Sequence, residues 1–155
     1  MDTAEFAVES ISRWWETVGK HTFPQASKLM ITCDCGGSSG YKTRLWKYQL
    51  SQLASNTGLE IHVSHFPPGT SKWNKVEHRL FCYISKNWQG KPLVSVKAAI
   101  NLIGSTTTVA GLKVICQRDD TVYELAKTVS DEVYKSINMD NIEPFHDWNY
   151  LLKAL

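Results

Sequence analysis

LMITCDCGGSSG, residues 29–40, decides how this chain folds. The apolar run of residues 29–34 closes on an acid, Asp34, and then on a glycine-rich turn. Such a run suits a strand buried on both faces of a parallel sheet. Working outward, residues 42–57 carry Trp46, Leu50, Leu53 and Ala54 at helical spacing, with Gly58 as the stop signal. Residues 59–66 then alternate Leu59, Ile61 and Val63 against Glu60, His62 and Ser64, which predicts a second strand. Strand, helix and strand of these lengths make a right-handed parallel crossover, so the predicted class is α/β.

The next stretch, HFPPGTSKWNKVEHRLF at residues 65–81, turns at Pro67, Pro68 and Gly69 and predicts a helix over residues 71–88 capped by Ser71. Projected at about 100° per residue, Trp73, Val76, Leu80, Phe81, Ile84 and Trp88 share one face, with Glu77 in its middle. Lys72, Lys75, Arg79 and Lys86 fall opposite. A buried Glu costs several kcal/mol unless it is paired, protonated or bound to a metal. In an open α/β sheet ligands collect beyond the carboxyl ends of the strands, where Asp34 stands. Glu77 lies about 9 Å along the helix axis from Ser71, so the two carboxylates are expected to converge.

Toward the N-terminus, Asp2 and Glu5 have capping-box spacing, and Ala4, Ala7, Val8, Ile11, Trp14, Trp15 and Val18 share a face, predicting a helix over residues 3–19. Past Gly90 the expectations are a helix over residues 94–103, a short strand over 112–116, an extended segment over 121–125, a helix over 130–137 and an aromatic tail over 145–155.

The chain has 155 residues, 43% hydrophobic and 21% charged, which fits one globular domain and excludes disorder and coiled coil. No apolar run approaches the ~20 residues that span a bilayer, so a soluble cytoplasmic protein without a membrane partner is expected. Cys33, Cys35, Cys82 and Cys116 form no paired framework and read as reduced thiols. The net charge of +2 hides an asymmetry, because residues 42–91 hold eight Lys or Arg against Glu60 and Glu77. Residues 119–147 hold eight acids against Lys127 and Lys135. That polarity suits a nucleic-acid face as well as ordinary solvated surfaces.

Two carboxylates at a sheet edge are what a divalent-metal phosphoryl-transfer site needs, since Mg²⁺ takes hard oxygen ligands. The competing reading has Asp34 capping the glycine loop and Glu77 pairing with a lysine. GGSSGYKT is a near miss to a phosphate-binding loop, because Tyr41 separates Gly40 from Lys42. His62 and His65 fall on opposite faces of a strand, and His78 points away from the face of Glu77, so structural or surface histidines are expected rather than zinc ligands.

DTAEFAVESISRWW, the strand ending in Asp34 before its GG-S-G loop, HFPPGTSKWNKVEHRLF, the TTT-GL stretch and the F-x-x-WNY near the end together resemble bacterial insertion-sequence DDE transposases of the Rhodopirellula type. The resemblance implies an RNase H-like, three-layer catalytic fold that holds two divalent ions, Mg²⁺ or Mn²⁺, on an Asp, Asp, Glu triad. Asp34 matches the second Asp and Glu77 the Glu. The implied chemistry is attack on DNA phosphodiesters by water and then by the freed 3′-hydroxyl. Lys42, Arg44, Lys72, Lys75 and Arg79 are the expected contacts to the DNA of insertion-sequence ends. Cys35 and Ser39 depart from the Gly and Asn of the pattern, and Asp2, read as a helix cap, does not match the first Asp. A chain truncated before the first strands of the sheet is therefore expected, inactive alone, with an open sheet edge that invites another copy or a full-length transposase. The rival expectation is a non-catalytic DNA-binding or regulatory remnant.

Overall fold

The computed structural model describes residues 3–154, except for the side chains of Ser71 and Glu77. In chain order the elements are α1 (Ala4–Trp14), a π turn (Trp15–Gly19), α2 (Lys20–Thr22), β1 (Lys28–Cys33), α3 (Arg44–Thr57), β2 (Glu60–His65), a 3₁₀ turn (Ser71–Trp73), a second π turn (Glu77–Phe81), α4 (Cys82–Trp88), α5 (Val96–Gly104), α6 (Asp131–Lys135), β3 (Met139–Asn141) and β4 (Asn149–Leu152). They group into two compact units, Met1–Ser71 with Tyr123–Leu155, and Lys72–Val122. Among the described residues no helix is long and apolar enough to cross a membrane.

The first unit is mixed α/β, built on a four-stranded sheet of order β1-β2-β4-β3. β1 and β2 run parallel with Cys33 opposite His65, as the crossover predicts, while β4 lies antiparallel to both β2 and β3. α3 ends where Gly58 adopts φ 71°, a left-handed position that favours glycine. The core joins Ala4, Val8 and Trp15 to Trp46, Leu50, Leu53 and Ala54 of α3, to Leu59, Ile61 and Val63, and to Tyr150 and Leu152 of β4. Each fully buried Leu or Ile there stabilises the fold by ~1.5–3 kcal/mol.

Several expectations need correction. β1 is not buried on both faces; it is an edge strand whose Lys28, Met30 and Thr32 are exposed, Met30 to 67%. The apolar run is tolerated because only Leu29, Ile31 and Cys33 face the core cluster. α1 is capped by Thr3, whose side chain accepts from the Phe6 N–H; the capping role read for Asp2 lies outside the described residues. The tail expected over residues 145–155 contains β4, whose Tyr150 and Leu152 reach the core, and β3 pairs with it. Residues 112–116 form no strand.

The second unit departs further from its periodicity. The helix expected over residues 71–88 is broken, because the Asn74 side chain accepts from the Val76 N–H and separates the 3₁₀ turn from the π turn at Glu77. That π turn winds more residues per turn, which shifts the face projected at α-helical pitch. Of that face Trp73, Val76 and Phe81 are exposed and Ile84 is buried. The central place read for the Glu77 side chain lies outside the described residues. α5 is present as expected, with the Ser95 side chain accepting from Ala98 N–H at its start.

Candidate functional site

Asp34 comes directly after β1, at the carboxyl end of a strand parallel to β2. Three successive residues there are bonded across to the end of β2. Cys33 carbonyl accepts from the Phe66 N–H at 2.8 Å, and the Asp34 carbonyl lies 2.9 Å from His65 Nδ1. The Cys35 thiol donates to the Phe66 carbonyl at 2.7 Å. β4 adds a further tie, because the His65 N–H donates to the Trp148 carbonyl at 2.9 Å.

Against this bonded strand end the side chain of Asp34 stands out. Its Oδ1 is buried and has no hydrogen-bond partner. A buried unsatisfied acceptor costs ~1–3 kcal/mol, and more when charged, so such an atom calls for an explanation. The reading of Asp34 as cap of the glycine loop does not supply one for this oxygen.

A cleft of about 470 Å³ adjoins it, lined by Asp34, Cys35, Gly36, Tyr41, Pro67, Pro68 and Gly69. Its two sides are the two loops that leave the parallel strands. The first folds back tightly at Gly40, where an added Cβ would lie 2.9 Å from the Cys35 carbonyl oxygen. The second turns at Gly69, φ 76°, with the Thr70 hydroxyl donating to the Pro67 carbonyl at 2.6 Å.

Beneath the cleft lies a buried polar row. His65 Nε2 is 2.9 Å from the Tyr150 hydroxyl oxygen, and Trp46 Nε1–H donates to that oxygen at 3.0 Å. His65 is 5% exposed and Tyr150 fully buried. Burial holds the His65 pKa below its ordinary value, aided by the charge of Lys47 and opposed by the bond to Asp34. Burial also raises the Tyr150 phenol, and it pushes the Cys33 thiol up to about 12, with the charges of Asp34 and Cys35 adding to the effect. Cys35 is raised by burial and then by Asp34. Both cysteines next to Asp34 are therefore thiols at neutral pH, and all four cysteines are free.

The basic residues divide between the units. In the first, the Lys42 Nζ lies 5.4 Å from the centre of the Tyr41 ring. Arg44 is committed to an ion pair with Asp131 and stacks 5.0 Å from the Tyr134 ring centre. In the second, Lys72, Lys75 and Arg79 are exposed, and the Lys72 carbonyl lies 3.1 Å from His78 Nε2. Glu77 also belongs to the second unit, where it opens the π turn. Among the described residues no group of three or more His, Cys, Asp or Glu is placed to hold a metal ion.

Sequence reasoning singled out Asp34 but not His65, Trp46 or Tyr150 as its support. One signal was present: His65 falls on the buried set of the period-two pattern with Ile61 and Val63. Nothing in the spacing tied it to Tyr150, 85 residues away.

These features belong to a transposase domain. The chain is a member of the family described as Rhodopirellula transposase DDE domain, which matches residues 1–154. No curated protein and no solved structure matches it.

Proposed function

We propose that the chain is the catalytic part of an RNase H-like DDE transposase, in which Asp34 and Glu77 supply carboxylates to a divalent-metal site acting on insertion-sequence ends. Family membership over residues 1–154 supports the class, and the buried, unpartnered Oδ1 of Asp34 carries the site. The parallel β1–α3–β2 crossover, with Asp34 at its carboxyl edge, supports the fold assignment. A carboxylate oxygen is a hard donor, so Asp34 fits Mg²⁺ or Mn²⁺, and the resemblance gives the other carboxylate to Glu77. Such an ion supplies charge neutralisation at a scissile phosphate.

The remaining work falls to the chain itself. Its two loops present Asp34 to a cleft walled by proline and glycine. Lys42, Lys72, Lys75 and Arg79 bind DNA phosphates and orient the strand. Arg44 joins them by exchanging Asp131 for phosphate, and an exposed ion pair worth ~0–1 kcal/mol opposes that exchange only weakly. The resemblance asks for a further Asp, to which no residue here has been matched. We therefore expect residues 1–155 alone to bind metal and DNA without cleaving, and cleavage to need a chain that brings the third carboxylate.

The test is DNA affinity measured across a salt series with and without Mn²⁺. Affinity is expected to fall steeply with salt, to lose slope when Lys72, Lys75 and Arg79 are changed to Gln, and to respond to Mn²⁺ only while Asp34 is present. No affinity at low salt would overturn the proposal. Affinity indifferent to Mn²⁺ and to Asp34→Asn would favour the non-catalytic DNA-binding role.

A further inference from the structure

The polar row under Asp34 has one consistent arrangement of its protons. An indole N–H can only donate, so the Tyr150 oxygen accepts from Trp46. The Tyr150 proton then needs an acceptor, and His65 Nε2 at 2.9 Å provides one. His65 must accordingly carry its proton on Nδ1, where it donates to the Asp34 carbonyl at 2.9 Å. Cys33 Sγ, 3.3 Å from Nδ1, takes a share of the same proton as a weak acceptor.

The other tautomer fails at both ends. With the proton on Nε2, the Tyr150 oxygen would accept twice and its own hydrogen would have no partner. The Asp34 carbonyl would then face a nitrogen lone pair at 2.9 Å. A doubly protonated ring would leave the Tyr150 hydrogen equally stranded, beside the Lys47 ammonium 4.8 Å from the Tyr150 ring centre. Tyr41, whose ring meets His65 edge-on at 6.3 Å, is a further titratable neighbour.

We infer that His65 is a positioning residue for Asp34, locked by Trp46 and Tyr150 as the Nδ1–H tautomer so that it fixes the backbone of the carboxylate at the cleft. This rests on the reading of Asp34 as a metal ligand. The row transmits core packing to the site: α3 and β4 set the Tyr150 hydroxyl, the hydroxyl sets the ring, and the ring sets the peptide after β1. The carboxylate is thereby aimed through its own backbone, and its unpartnered Oδ1 is left for a cation.

Two measurements test this. Nitrogen-15 NMR of the metal-free wild-type chain should show His65 neutral with the proton on Nδ1; a proton on Nε2 overturns the inference whatever the metal does. The second compares Mn²⁺ affinity, by titration calorimetry, in His65→Asn and His65→Gln. The Asn amide nitrogen can stand where Nδ1 stood and keep the bond to Asp34, whereas the Gln amide reaches toward Tyr150 instead. Both variants lose the ring and should melt at similarly lowered temperatures. Only His65→Gln should lose Mn²⁺ affinity, by about tenfold or more, as removal of an outer-shell partner does. Equal affinities in the two variants would reduce His65 to a structural role. Mn²⁺ affinity that Asp34→Asn leaves unchanged would overturn the metal reading itself, and this inference with it.

Discussion

The two units differ in what holds them together. The first buries Trp46, Leu50, Ile61, Val63, Tyr150 and Leu152 at 2% exposure or less, and its elements meet across the whole length of the sequence. In the second, Ile84 is the buried hydrophobic among the described residues, while Val94, Val109 and Ile115 are exposed. α4 and α5 are joined by the Asn87 side-chain amide, which donates to the Leu102 carbonyl at 2.5 Å and to the Ser105 hydroxyl at 3.0 Å. The contrast teaches how differently the two matched carboxylates are supported. Asp34 is set by a packed core and a bonded strand end, whereas Glu77 sits on a segment with little apolar burial of its own. Such a segment belongs to the low-stability end of a protein, where functional elements that must adjust are often found.

Substitutions in the two units should expose the difference most strongly. Trp46→Ala removes a large core side chain and the donor to Tyr150, and should cost ~3–5 kcal/mol in chemical denaturation. Trp73→Ala, at a residue 54% exposed, should stay within about 0.5 kcal/mol. Similar losses from the two would break the comparison. Hydrogen exchange should sharpen it: amides of α3, β2 and β4 are expected to exchange only through global opening, and those of residues 93–122 through local opening, faster by orders of magnitude. Uniform protection would show one cooperative unit.

A smaller effect concerns the edge of the sheet. Glu60 lies opposite Lys28 in the register, and bonds to Lys28 and then to His62 lower its pKa from 4.5 to about 2. A carboxylate whose folded pKa is depressed stabilises the fold above its unfolded pKa and loses that contribution as pH falls through the folded one. Melting temperature should thus decline between pH 4.5 and about 2, and Glu60→Gln should flatten that part of the profile. An unchanged profile would show that the exposed pair contributes nothing.

The legible part of the fold was the part built from near neighbours in sequence. The acid after an apolar run, the helical spacing of Trp46 to Ala54 and the alternation through His65 gave β1, α3 and β2, and with them the position of Asp34. β4 was illegible because it buries only Tyr150 and Leu152, too short a pattern to separate from an aromatic tail. The edge position of β1 was equally hidden, since an apolar run does not say which neighbours cover it. Residues 112–116 carry strand-like composition but pair with no strand, and composition cannot supply a partner. The row under Asp34 escaped for the same reason: its three side chains come from α3, β2 and β4 and meet only in the folded chain.

The central claim is that the unpartnered oxygen of Asp34 is kept for a cation. Thermal unfolding of the wild-type chain and of Asp34→Asn, each with and without Mn²⁺, tests it most directly. Without metal, Asp34→Asn should melt no lower, because the buried Oδ1 has no hydrogen-bond partner to lose. With Mn²⁺ at 100 times its dissociation constant, the wild-type chain should gain about 2.7 kcal/mol and Asp34→Asn should gain nothing. A variant that melts lower without metal and still responds to Mn²⁺ would contradict the account.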